Sequence, residues 1–214
     1  MRANSLFWRM TQSETEAAIA ILNAAVERYP HYAPAHSMLA FILAVSGHLN
    51  LSYITGSHLA RAMELGARAA ELDDSDPWAH LALGYAAFMR RSTAESTAEF
   101  QRALELNPNF AAAHGYLGWA LAFDGQSDKA IVHLEEAIRM SPHDPQNSIF
   151  NVGIAISHYL EGRYAGQLDE ARAALDRVKE THPDLSIAWI ERNVPYTSVP
   201  MVKFVEGMRK AGLE

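Results

Sequence analysis

Residues 76–108, DPWAHLALGYAAF…AEFQRALELNP, return at 110–142 as FAAAHGYLGWALAF…IVHLEEAIRMSP. Leu83-Gly84 becomes Leu117-Gly118, Phe100 becomes Leu134, Ala103 becomes Ala137 and Pro108 becomes Pro142, always 34 residues on. A fixed period of this size describes one supersecondary unit that cannot bury its apolar face alone and stacks on copies of itself. Fainter copies lie upstream. APAHSMLAFILAVSG (33–47) repeats the first half of the unit, and AIAILNAAVERYP (18–30) repeats the second half, with Ala18, Leu22, Ala25 and Pro30 in the matching places.

Both halves of the unit predict helices. Leu81, Gly84, Tyr85 and Phe88 follow helical spacing. Gly84, Gly118, Ala103 and Ala137 are small where two helices must approach closely. Pro108 and Pro142 stop the second helix. Asp76-Pro77 reads as an N-cap followed by proline in the first turn. Ser13-x-x-Glu16 and Ser92-x-x-Glu95 have the spacing of a capping box. Alternating strand patterns are missing from the sequence, so an all-α chain is expected.

The 34-residue unit, with its early Leu-Gly, paired alanines, large apolar residue and closing proline, resembles the tetratricopeptide repeat. The resemblance implies an α-solenoid of antiparallel helix pairs. Repeats are expected at about 1–32 (partial), 33–76, 77–110, 111–144 and 145–185, followed by a capping tail at 186–214 whose helix shields the open end of the stack. Two repeats are irregular. Residues 33–76 run ten too long and place HLNLSYITG between two helices. This is either a surface loop, which costs only about 0.6 kcal/mol per doubling of length, or a functional loop in which Tyr53 and Ile54 cover one end of a groove. Residues 145–185 are seven too long. There EGRYAGQLDEA (161–171) carries one working turn, starting at Gly166, and a leftover turn start at Gly162. A lost repeat and an inserted turn both account for it.

Composition removes several classes of function. The net charge is −7 at neutral pH, which disfavours general nucleic-acid or anionic-membrane binding. The chain has no cysteine, so disulfides, thiolate nucleophiles and Cys-type zinc sites are excluded. The longest apolar run, MLAFILAV at 38–45, is far shorter than the ~20 residues of a membrane span. The N-terminus lacks the pattern of a signal peptide. A cytoplasmic chain without nucleic-acid or membrane partners is expected.

A wider resemblance rests on LFWRMT (6–11), HYAPAHSMLAF (31–41), LELNPNFAAAHGYLGWALAFDGQSDKAI (104–131) and EGMRKAGLE (206–214). These phrases look like the C-terminal repeat region of bacterial class III adenylate/guanylate cyclase-like proteins. The resemblance implies a signalling context, and the start inside a partial repeat implies a fragment or a truncated paralogue. No residue of this chain matches the catalytic domain of that family, so no activity is carried over.

Constellations for catalysis are lacking, and no enzyme, metal or cofactor is expected. His36, His80 and His114 share one slot, but neighbouring helices stand ~8–10 Å apart, so no two could bridge one ion, and a structural role follows. His133, His143, His158 and His182 show no ligand spacing. Asp73, Asp74 and Asp76 are read as helix-end residues rather than a calcium loop. Gly115 and Gly118 lie inside a helix and form no phosphate cradle.

By analogy with the repeat family, the first helix of each pair lines a concave face. Here that face comprises Ser37, Phe41, Leu81, Tyr85, Phe88, Met89, Gly115, Trp119 and Phe123. Phe41, Tyr85 and Trp119 share one slot, and Gly153 follows them, leaving space at one end. The Lys, Arg and Asn of carboxylate-clamping relatives are absent from these positions. The expected partner is therefore an amphipathic helix or an extended apolar segment of a protein or peptide. The alternative reading has the rings pack between first helices, or the tail fill the groove. Bare terminal surfaces would also allow a homo-oligomer.

Overall fold

The computed structural model describes residues 2–9, 11–46 and 56–160 and the single positions 186, 188 and 209. Among the described residues there are nine α-helices and no strand: α1 (Arg2–Phe7), α2 (Gln12–Arg28), α3 (Ala33–Val45), α4 (Gly56–Leu72), α5 (Pro77–Met89), α6 (Thr93–Leu106), α7 (Ala111–Phe123), α8 (Ser127–Met140) and α9 (Asn147–Leu160). The chain divides into two compact halves, residues 1–109 and 110–214. The loop with Tyr53 and Ile54 and the doubled turn at 161–171 lie outside the described residues. So does the capping tail, apart from its three single positions.

In the first half, α1 packs on α2, α2 on α3, α3 on α4 and α5, and α5 on α4 and α6. In the second half, α8 packs on α7 and α9, and α7 also meets α9. First and second helices differ in kind. In α3, every residue but Pro34 is buried, and α7 is buried along nearly its whole length. A helix that is apolar all round belongs inside a protein, because neighbours must cover each of its faces. In contrast, α6 buries only Ser96, Phe100 and Ala103, and α8 only Ser127, Ala130, Leu134 and Ala137. These form one stripe, with charged residues on the opposite side.

The helix ends follow local rules, with one shift from expectation. Asp76 caps α5 by accepting from the Trp78 amide at 2.9 Å, with Pro77 in the first turn. The N-cap of α2 is Thr11, paired with Glu14, rather than the expected Ser13 with Glu16. Thr11 Oγ1 accepts from the Glu14 amide, and its hydroxyl donates to Glu14 Oε2 at 2.8 Å. Arg9 also binds Glu14 at 2.7 Å, and this extra partner selects the earlier start. At Ser92, the N-cap residue of α6, no side-chain cap bond forms.

The turns inside the repeats also share one design. After α5 the Ser92 amide donates to the Ala87 carbonyl, and after α7 the Gln126 amide donates to the Leu121 carbonyl. These six-residue closures satisfy the last helical carbonyls and need a left-handed residue just before the donor. That residue is Arg91 (φ 66°) in one repeat and Gly125 (φ 79°) in the next, 34 positions apart.

Candidate partner-binding face

The expected binding residues all sit on first helices. Ser37 and Phe41 lie on α3, Leu81, Tyr85, Phe88 and Met89 on α5, and Trp119 and Phe123 on α7. The structure corrects the expectation of an open face. Every one of these except Met89 is buried, with no more than 6% of its surface exposed. Met89, at the C-terminal end of α5, is partly exposed.

Within each half, the packing explains much of this burial. In the first half, the Phe41 ring lies edge-on to Phe7 at 5.8 Å and to Trp78 at 5.2 Å. It joins α1, α3 and α5, as expected for rings between first helices. Tyr85 stands 6.0 Å from Phe88 on the same helix. Burial pushes the Tyr85 phenol far above its ordinary range, so the side chain stays neutral.

In the second half, Trp119 packs edge-on to Phe123 at 5.3 Å. The expected space at Gly153 is a close approach instead. A Cβ there would lie 3.0 Å from Leu134 Cδ1 and 3.1 Å from Trp119 Cε3. Gly115 likewise lines no open face. The buried Phe150 ring occupies the place of its missing side chain, and a Cβ would collide with Phe150 Cζ. Tyr116 meets the same ring edge-on at 5.8 Å.

The histidine slot shows a relationship that spacing along the sequence hides. His80 and His114 face the second helix of their own repeats, at Glu99 and His133, and the matching position on α4 is Leu65, each 34 from the next. His36 lies at the slot matched by Leu65, and its Nε2 meets the Pro30 carbonyl oxygen at 3.1 Å. His80 Nδ1 meets Glu99 Oε2 at 2.8 Å. His114 Nδ1 meets His133 Nδ1 at 2.9 Å, with ring centroids 5.1 Å apart. Burial first, and the charge on His114 second, hold the His133 imidazole below the usual histidine range. No second histidine lies at helical spacing from His133 on α8, so spacing within one helix gives no sign of the pair. The usable signal is its place 34 residues after Glu99. Among the described residues, no group of three or more His, Asp or Glu side chains is placed to hold a metal ion.

The comparisons with known proteins agree with this geometry. Family models for the tetratricopeptide repeat match residues 99–132 and 117–186. A thermophilic tetratricopeptide-repeat protein of Thermus thermophilus, TTC0263, is similar in structure with a TM-score of 0.59 and 18% identity, over 92% of each chain. MamA is similar with a TM-score of 0.55 and 21% identity, over 80% of this chain and 92% of its own. YrrB, described as having an unusual peptide-binding site, is similar with a TM-score of 0.53 and 22% identity, over 89% of this chain and 90% of its own. At this level of identity the likeness shows the fold: an all-α solenoid of the tetratricopeptide-repeat type. No curated protein matches the chain. Neither the family models nor these structures carry the likeness to cyclase-like proteins. No described helix is long and apolar enough to cross a membrane.

Proposed function

We propose that this chain is a non-catalytic protein-interaction module that takes a protein or peptide segment against its first helices. The observation that carries the reading is the repeat itself. Its first helices carry large side chains at equivalent repeat positions (Phe41, Tyr85 and Trp119), with no charged residue among the nine positions expected on that face. Such a surface suits an apolar or amphipathic segment, because aromatic side chains supply contact area at low entropic cost. Burial of these residues adds a condition: the face must be uncovered for the partner to reach it. YrrB offers an analogy, as a protein of this fold with a peptide-binding site. The reading as a regulatory or oligomerising segment of a cyclase-like signalling protein rests on the resemblance of the quoted phrases alone.

The test is site-specific photocrosslinking in native cell extract. A photoreactive side chain replaces Met89, the partly exposed member of the face, or Val132, which is 65% exposed on the outer side of α8. Covalent capture of one defined partner from position 89 and not from position 132 is the expected result. Equal capture from both positions, or capture from 132 alone, would overturn the first-helix face.

A further inference from the structure

We propose that the His114–His133 contact is an acid-sensitive latch between α7 and α8, closed while one ring donates to the other and opened when both rings are charged. The two Nδ1 atoms meet at 2.9 Å with ring centroids 5.1 Å apart, so the rings stand head-on, one nitrogen donating and the other accepting. This hydrogen bond ties the first helix of the repeat to the second. It holds in a neutral pair or in a pair with a single positive charge, because either state leaves one Nδ1 lone pair to accept. Two imidazolium rings instead carry a proton on each facing nitrogen. The bond is then lost, and two like charges confront each other across the helix contact. Both rings are partly exposed, so protons from solvent reach them.

Within this half of the chain, few charges offset a second proton. On α8, Glu136 is close enough to interact with His114, but Arg139 already engages its carboxylate at 2.7 Å. Lys129, one turn before His133, adds positive charge and donates to Gln126 at 2.9 Å. The α7 helix carries no Asp, Glu, Lys or Arg. In the connector after α8, Asp144 accepts from the Gln146 amide at 2.8 Å, with His143 beside it. The titratable group among the described side chains of α9 is His158. It lies about 12 Å along the helix from Phe150, the ring that fills the place at Gly115. Burial first, and the charge on His114 second, hold the His133 imidazole below the usual histidine range. The folded chain therefore binds the second proton less tightly than the unfolded chain. The stability contributed by the contact is complete above the unfolded histidine pKa, about 6.5, and is lost as pH falls through it. The preceding repeat responds with the opposite sign. There His80 Nδ1 faces Glu99 Oε2 at 2.8 Å, so a proton on His80 creates an ion pair. Acidification thus loosens α7 from α8 while it tightens α5 on α6.

The experiment is hydrogen exchange of the backbone amides in the full chain, corrected for intrinsic rate and compared at about pH 7.5 and about pH 5.5, on either side of the histidine range. Protection of α7 and α8 should fall roughly fivefold or more on acidification, while that of α5 and α6 holds or rises. His133→Glu, which installs the pairing of the preceding repeat, should remove the acid loss. So should His133→Leu, which places at 133 the residue that α4 carries in the same slot (Leu65). Side-chain ¹⁵N spectra of the unsubstituted chain supply a readout that does not depend on how a variant folds. In them His114 and His133 should titrate as a coupled pair, in two separate steps. Independent titration of the two rings, unchanged protection of α7 and α8 in the parent chain, or an acid loss of the same size in either variant would overturn the proposal.

Discussion

The ring of Phe100 occupies the place where Gly84 lacks a side chain: a Cβ on Gly84 would lie 2.6 Å from Phe100 Cδ1. One repeat later, Leu134 stands in the same relation to Gly118, with its Cγ 2.6 Å from the absent Cβ. These contacts lock the first helix of a pair onto the second. The pairing also varies: at the slot of Phe100 and Leu134, α4 carries Gly66. Leu83 of α5 closes that position, at 3.0 Å from where a Cβ would sit.

The two glycines should respond unequally to alanine. At Gly84 the three nearest obstructions are atoms of the Phe100 ring, which can tilt. At Gly118 they include the Ala130 carbonyl oxygen at 2.9 Å and the Leu134 amide nitrogen at 3.0 Å, which are backbone. Overpacking of this kind costs ~1–3 kcal/mol, against a gain in helix propensity of about 1 kcal/mol. Urea unfolding should show Gly118→Ala losing more stability than Gly84→Ala, with the former at the upper end of that range. The reverse order would mean that α7 and α8 can slide apart.

Arg91 holds a left-handed conformation that its counterpart Gly125 adopts without strain. The left-handed region costs a non-glycine residue roughly 1 kcal/mol, and glycine gives back part of that through its freer unfolded state. Arg91→Gly should therefore raise stability by about 0.5 kcal/mol in thermal unfolding. The exchange at the other turn, Gly125→Ala, should lower it by ~1 kcal/mol. A loss on Arg91→Gly would show that contacts of the arginine side chain outweigh the backbone strain.

Asp144 joins α8 to α9 and accepts from the Gln146 amide at 2.8 Å. Burial raises its pKa above the usual aspartate range, against the opposing effect of that hydrogen bond. A raised carboxyl pKa means that the folded state holds the proton more tightly than the unfolded state. The charged form thus destabilises the fold above the folded pKa, and that cost fades as pH falls through it. Asp144→Asn keeps an acceptor for the Gln146 amide and removes the charge. Its advantage over the parent chain should be largest near neutral pH and should shrink towards pH 3. A constant difference across that range would show that the carboxyl titrates alike in both states.

The helix-pair architecture was legible because periodicity is a property of the chain. Gly84 and Gly118, the stop at Pro108 and the cap at Asp76 act on neighbours within a few residues or recur at a fixed offset. The binding face was legible only as a set of positions. Spacing identifies Phe41, Tyr85 and Trp119 as equivalent, but it cannot say whether another ring will cover each of them. Phe7 and Trp78 reach Phe41 from helices on either side in the sequence, and no local pattern announces that contact. The α2 start shifted by two residues for a similar reason, since the Arg9 charge favoured Glu14 over Glu16.

By itself, then, the sequence determined the repeat, its helices and the absence of thiol chemistry, because each depends on local backbone preference or residue type. The tertiary structure alone decided which first-helix side chains are buried. It also decided that Gly153 is filled by Trp119 and Leu134, and that His114 meets His133 where His80 meets Glu99. Those outcomes depend on how two surfaces, distant along the chain, fit together at ångström scale, and close packing leaves one arrangement per slot.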